Sequence, residues 1–199
     1  MTKQLLLGTV LGAIVLFLWS ALAWMLIPWP GDPLRSFTNE DAVLQAIKEN
    51  SPRSGTYLVP NMPRRTPGMT DQQWNAAMQA AEQKMGSNAF VFASVRLEPF
   101  GSMGKPLALQ FLTQFLGALL GTFLLLHTGG LSYRGRVVFL TSVGLIIFVG
   151  GHLDEWNWWS FSNAYILMQM GVIVIGWFLA SLVMSAVVRG RAAAYSSKS

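Results

Sequence analysis

Four stretches of this chain are long, apolar and free of charge, and they restrict the fold more than any other feature. From Leu5 to Trp29, Pro106 to Leu126, Val137 to Leu153 and Ala164 to Val188 there is no Asp, Glu, Lys or Arg. A helix rises about 1.5 Å per residue, so the longer runs exceed the roughly 30 Å hydrocarbon core of a bilayer, and the third is the shortest. Backbone polar groups in lipid find no water, so each run is expected to satisfy them internally as a helix. Composition agrees: of 199 residues, 52% are hydrophobic and only 12% charged, about half the usual globular share.

The first run has a second reading as a signal peptide, because Lys3 precedes an apolar core and Ala21-Leu22-Ala23 has small-x-small character. Apolar character continues through Trp24, Met25, Leu26 and Ile27, which is long for such a segment. A retained anchor is expected. The expected fold is therefore an all-α four-helix transmembrane bundle with a small α+β extracytoplasmic domain between helices 1 and 2. Residues 1–29 form the first span, 30–105 the outer domain, 106–127, 137–153 and 164–188 the remaining spans within 106–191, and 192–199 a tail.

Charge placement sets the expected direction. Lys3, Arg134, Arg136, Arg189, Arg191 and Lys198 fall at the two ends or in the second connection, with no acid among them. All nine acids and the other eight basic residues lie in Pro30 to Lys105 or in Asp154 to Asn163. Basic excess marks the cytoplasmic side, so both termini are expected inside and residues 30–105 outside. The net charge of +5 then reflects orientation and contact with anionic lipid, and gives no reason to expect nucleic acid as a partner.

Within the outer segment, Thr38 and Asp41 make a capping arrangement for a helix carrying Val43, Leu44 and Ile47 on one face and ending at Ser51-Pro52. Ser54-Gly55 turns into a short strand, Thr56 to Val59, stopped by Pro60. The following loop, Asn61 to Gly68, offers Arg64 and Arg65 as a contact site. Thr70 caps a second helix with Gln73 at its third position, Trp74, Ala77, Met78, Ala81 and Met85 repeat every three or four residues, and Gly86 is placed to end it. Ala89 to Glu98 alternates as a strand. The two strands are expected to pair, in either direction, with the helices over one face.

The chemistry available is limited. There is no cysteine, which excludes disulfides, thiolate nucleophiles, iron–sulfur clusters and Cys zinc sites. His127 and His152 are expected on opposite sides of the membrane, so they cannot jointly ligate one haem within the chain. His152 with Asp154 and Glu155 makes at most a weak metal or proton site, and helix termination is the plainer role. No phosphate loop, nucleophile elbow or HExxH pattern occurs, and no charge sits at mid-span as proton-coupled carriers require. No cofactor and no enzymatic activity are expected. Gln110, Thr113 and Gln114 share one side of the second span, suited to helix packing or a ligand head group. Gly8 with Gly12 and Gly117 with Gly121 have GxxxG spacing, and Gly150-Gly151, Gly171 and Gly176 add further close-packing positions. Trp156, Trp158, Trp159 and Phe161 form either an interfacial aromatic belt or a ledge for a partner.

Gly8 to Pro30, the SFTNEDAVLQAI block at Ser36 to Ile47, the SGTYLVP block at Ser54 to Pro60 and the WNWWSFSNAY block at Trp156 to Tyr165 together resemble a group of uncharacterised bacterial four-span membrane proteins. That resemblance implies a bacterial inner-membrane location and this topology, and it carries over no catalytic residue. The expected function is a non-enzymatic accessory or scaffold subunit of an inner-membrane complex, with other integral membrane subunits and lipids as partners. The alternative is a lipid- or quinone-binding or envelope-sensing protein, with Gln110, Gln114, Tyr57 and the Trp156 to Phe161 ledge forming an outer-leaflet pocket. A third option, an enzyme acting on a lipid or envelope precursor, would need His152, Asp154 or Glu155 to converge.

Overall fold

The computed structural model describes residues 2–188, so Arg189, Arg191, Lys198 and the tail at 192–199 lie outside the described residues. The chain divides into two compact units, the smaller being Ser36–Gly101. In order, the elements are α1 (Thr2–Met25), α2 (Glu40–Asn50), β1 (Gly55–Val59), α3 (Asp71–Ser87), β2 (Val91–Val95), α4 (Gly104–His127), α5 (Tyr133–Trp159), α6 (Asn163–Met170), a π-helical turn (Gly171–Ile175) and α7 (Gly176–Val187). Among the described residues four helices are long and apolar enough to cross a membrane: α1, α4, α5 and the continuous Asn163–Val187 rod.

In the larger unit α1 packs along α4 and α7, α5 packs along α7, and α4 meets α5 only briefly. Small residues explain the close approaches. A methyl built on Gly8 would stand 2.7 Å from both Thr122 and Val188, and one on Gly12 would stand 2.7 Å from Met184 Sδ. Gly117 and Gly121 instead receive the indole of Trp177, which is buried and also lies against Gly144. Both GxxxG pairs are thus used inside the bundle. Gly150 and Gly151 are not: nothing approaches a methyl built at either, so the expected close packing there is absent. The core around Trp177 contains Ala13, Leu16, Ala118, Leu125, Leu140, Ala180 and Met184.

The third span departs from its expected bounds at both ends. Ser132 caps α5, its hydroxyl accepting from Gly135 N at 3.2 Å, so Arg134 and Arg136 belong to the helix and not to the connection. Arg136 turns back: Nη1 donates to Leu131 O at 2.8 Å, while Nη2 and Nε reach Ser185 O at 3.0 and 3.3 Å. That cation meets a carbonyl in the last turn of α7, where the helix dipole favours positive charge. At the other end α5 runs through the acidic pair and the tryptophans to Trp159, where the expected loop beginning at Asp154 does not form. No Gly or Pro follows Gly151 to break the ladder. It stops at Ser160, which takes the left-handed conformation (φ 60°) and whose N–H donates to Glu155 O. An uncharged run measures fit to lipid; helix length is set by caps and breakers.

In the smaller unit β1 and β2 pair antiparallel, Gly55 opposite Val95 and Val59 opposite Val91. The second strand is shorter than the alternation from Ala89 to Glu98 suggests, because β1 offers only five partners. Ser54 ties the open end, accepting from Leu97 N at 2.9 Å and donating to Glu98 Oε2 at 2.7 Å. That hydroxyl is the main reason the Glu98 carboxyl is held below its ordinary range. The capping box at Thr70 and Gln73 forms in both directions, at 3.2 and 3.0 Å. Asn39, not Thr38, caps α2, accepting from Ala42 N at 3.0 Å. The helix starts one residue later than expected, with Asn as effective a cap as Thr. Gly86 does not end α3, which continues through Ser87 to an Asn88 cap. No residue of α2 is buried and only Ala81 of α3 is, so helical cover over the hairpin is slight.

Candidate functional site

Helix packing around Trp177 leaves a cavity of about 460 Å³ in one half of the larger unit. Four rods contribute to it: Leu16, Ser20 and Trp24 from α1; Gln110, Thr113, Gln114 and Gly117 from α4; Ile147 and His152 from α5; Gln169, Val172, Ile173 and Trp177 from the last rod. It sits where α4 and α5 are separated, since Trp177 wedges between Gly121 and Gly144. Leu16, Ser20 and Trp177 are buried, Gln114, His152 and Gln169 half-buried, and Gln110, Thr113 and Trp24 exposed. The cavity therefore closes on Trp177 and opens toward Gln110 and Trp24.

The polar wall divides into satisfied and unsatisfied groups. Ser20 Oγ donates to Phe17 O at 2.9 Å and Thr113 Oγ1 to Leu109 O at 2.9 Å, the usual return of a helical hydroxyl to its own backbone. Among the described residues, the side chains of Gln110, Gln114 and Gln169 have no hydrogen-bond partner in the protein. His152 is committed on one side only. Its Nδ1 lies 2.7 Å from Glu155 Oε2, one turn along α5, and its ring stacks on Phe148. The carboxylate fixes Nδ1 as the N–H donor, which leaves Nε2 as the uncommitted polar atom of a cavity-lining residue.

The π-helical turn borders the same space. Its wider ladder cannot pair every carbonyl within the helix, and Trp19 supplies a donor: Nε1 reaches Val172 O at 3.0 Å and Gly171 O at 3.3 Å. Gly171 in turn seats Trp29, whose own Nε1 donates to Ala23 O at 2.6 Å.

Gln110 and Gln114 thus come together with His152 and with Gln169, which sequence reasoning passed over. A carboxamide in an otherwise apolar span was the available signal. The aromatic ledge does not line this cavity. Trp156 and Trp158 are 51% and 67% exposed, and Trp156 Nε1 donates to Asn163 Oδ1 at 2.8 Å. Phe161 rests against Tyr165 and lines a separate 330 Å³ cavity with Pro33, Leu34, Arg35 and Ser162. Trp159 closes α5. In the smaller unit Tyr57 donates its hydroxyl to Arg53 O, Arg65 pairs with Asp71, and Arg64 is exposed in the loop after β1. Asp154 is exposed and only Glu155 joins His152. His127 lies at the end of α4, its Nδ1 2.8 Å from Phe123 O. Among the described residues no group of three or more His, Asp and Glu could hold a metal.

Among the described residues, fold and site define a mostly helical protein with four candidate membrane-crossing helices and a partly polar cavity lined by them. No protein-family model, curated protein or solved structure matches the chain.

Proposed function

We propose that this chain is a multi-pass protein of the bacterial inner membrane, with both termini cytoplasmic and residues 30–105 periplasmic, whose bundle holds a small amphipathic ligand. Its activity is binding or sensing, without catalysis. The observation that carries this reading is the set of three unpartnered carboxamides beside a carboxylate-held histidine in one 460 Å³ space. Polar groups withdrawn from water cost free energy until they are hydrogen-bonded, and a ligand supplies the missing partners. Native mass spectrometry of the full chain released from mild detergent tests it. An adduct of a few hundred daltons is expected, lost in the Gln114→Leu/Gln169→Leu double variant; a bare chain mass under all release conditions would overturn the reading.

The accessory role in a larger membrane assembly is favoured by a different observation, the exposed indoles of Trp156 and Trp158 at the end of α5. Large aromatic side chains left in the open are characteristic anchors of interfaces. Crosslinking mass spectrometry on native membranes tests that role, which predicts a reproducible neighbour attached near Trp156 to Phe161.

A further inference from the structure

Resting on the ligand-binding reading above, we infer that the ligand is an uncharged flat ring with polar oxygens at opposite edges, the chemistry of a membrane quinone or quinol. The cavity wall excludes the main competitors. It contains no Lys or Arg, so nothing neutralises a phosphate, and the nearest charge is the Glu155 carboxylate on His152. A phospholipid head group would enter a site of the wrong sign. The apolar wall combines the aliphatic Leu16, Ile147, Val172 and Ile173 with two indoles, Trp177 at the closed end and Trp24 at the mouth, whose flat faces can stack on a planar guest.

Polar groups are distributed to suit two oxygens. Gln110 and Gln114 stand one turn apart on α4, Gln169 comes from the last rod, and His152 from α5. A carboxamide donates to a carbonyl or accepts from a hydroxyl, and the free Nε2 of His152 accepts from a hydroxyl, so both redox forms find partners. The mouth at Gln110, Thr113 and Trp24 is exposed, which leaves room for an apolar tail to pass toward lipid.

The test uses the full chain in phosphatidylcholine nanodiscs and two probes that quench tryptophan: decylubiquinone, and a brominated diacylglycerol as a neutral lipid without a ring. Saturable quenching by decylubiquinone is expected. Gln114→Leu and His152→Ala should each weaken it about tenfold, the usual effect of losing one buried hydrogen bond. Helicity and elution volume report folding; if His152→Ala fails to fold, Gln114→Asn and Gln169→Asn, which withdraw the amide by one methylene, carry the same expectation. Saturable, variant-sensitive quenching by the diacylglycerol alone overturns the quinone assignment and leaves the cavity as a lipid site. Quenching insensitive to every variant with both probes overturns this inference and the ligand-binding reading together.

Discussion

Gly144 lies directly under Trp177: a methyl built at residue 144 would stand 2.4 Å from Trp177 Cβ and 2.7 Å from its Cγ. Both atoms belong to the rigid root of a buried side chain, so neither can swing aside. Gly144→Ala should destabilise the bundle by about 1–3 kcal/mol, the usual cost of overpacking. Gly150→Ala, where nothing lies nearby, should be neutral or stabilising by up to about 1 kcal/mol through helix propensity. Thermal unfolding of the two variants in one detergent separates them.

Trp19 is expected to matter through its nitrogen more than its volume. Trp19→Phe keeps an aromatic ring but removes the donor that reaches Val172 O and Gly171 O. An unsatisfied buried carbonyl costs about 1–3 kcal/mol, and the loss should appear as faster amide exchange confined to the turn from Gly171 to Ile175.

Arg136 closes the far end of the bundle by joining the start of α5 to the last turn of α7. Arg136→Lys retains the charge but cannot hold Leu131 O and Ser185 O together through a planar fork. A stability loss of about 1–2 kcal/mol is expected for Lys and a larger one for Ala. Equal losses in the two variants would assign the effect to charge alone.

The smaller unit should lose stability in acid through Glu98. Its carboxyl ionises more readily in the folded chain than in the unfolded one, chiefly because Ser54 donates to it. The unfolded state therefore binds the proton first as pH falls. The stabilisation is complete above the ordinary glutamate range and disappears as pH drops through the lower folded value. Ser54→Ala should move the Glu98 titration upward, as read from its side-chain carboxyl resonance, and should flatten this part of the pH dependence.

The capping box at Thr70 offers a local check on the same unit. Thr70→Ala removes the acceptor for Gln73 N and should cost about 1 kcal/mol. The readout is fraying of the first turn of α3 by amide exchange.

Residue patterns exposed the helical rods because burial in lipid demands uncharged length, and Thr70 with Gln73 announced a helix start because capping is local. Gln110 and Gln114 were legible as a polar pair for the same reason, since one turn of helix brings them together. The contribution of His152 was not. Its neighbour Glu155 is visible in the sequence, but its place beside Gln114 and Gln169 is not, because the three belong to different rods and share one cavity only once those rods pack. Trp177 and Gly144 are similarly silent in sequence: a bulky residue and a missing side chain meet only once two distant rods are packed.

The π-helical turn has a consequence for the phase of the last rod. Gln169 and Trp177 are eight positions apart. At about 100° per residue, a regular helix would set them about 80° out of line. One extra residue absorbed in the turn makes them behave as though seven apart, on nearly the same meridian, so that amide and indole look into one chamber. Deleting a single residue between 171 and 175 would restore a regular ladder with the two side chains truly seven positions apart and still nearly in line. A deletion elsewhere between them would leave the turn in place and swing Gln169 out of phase by about 100°.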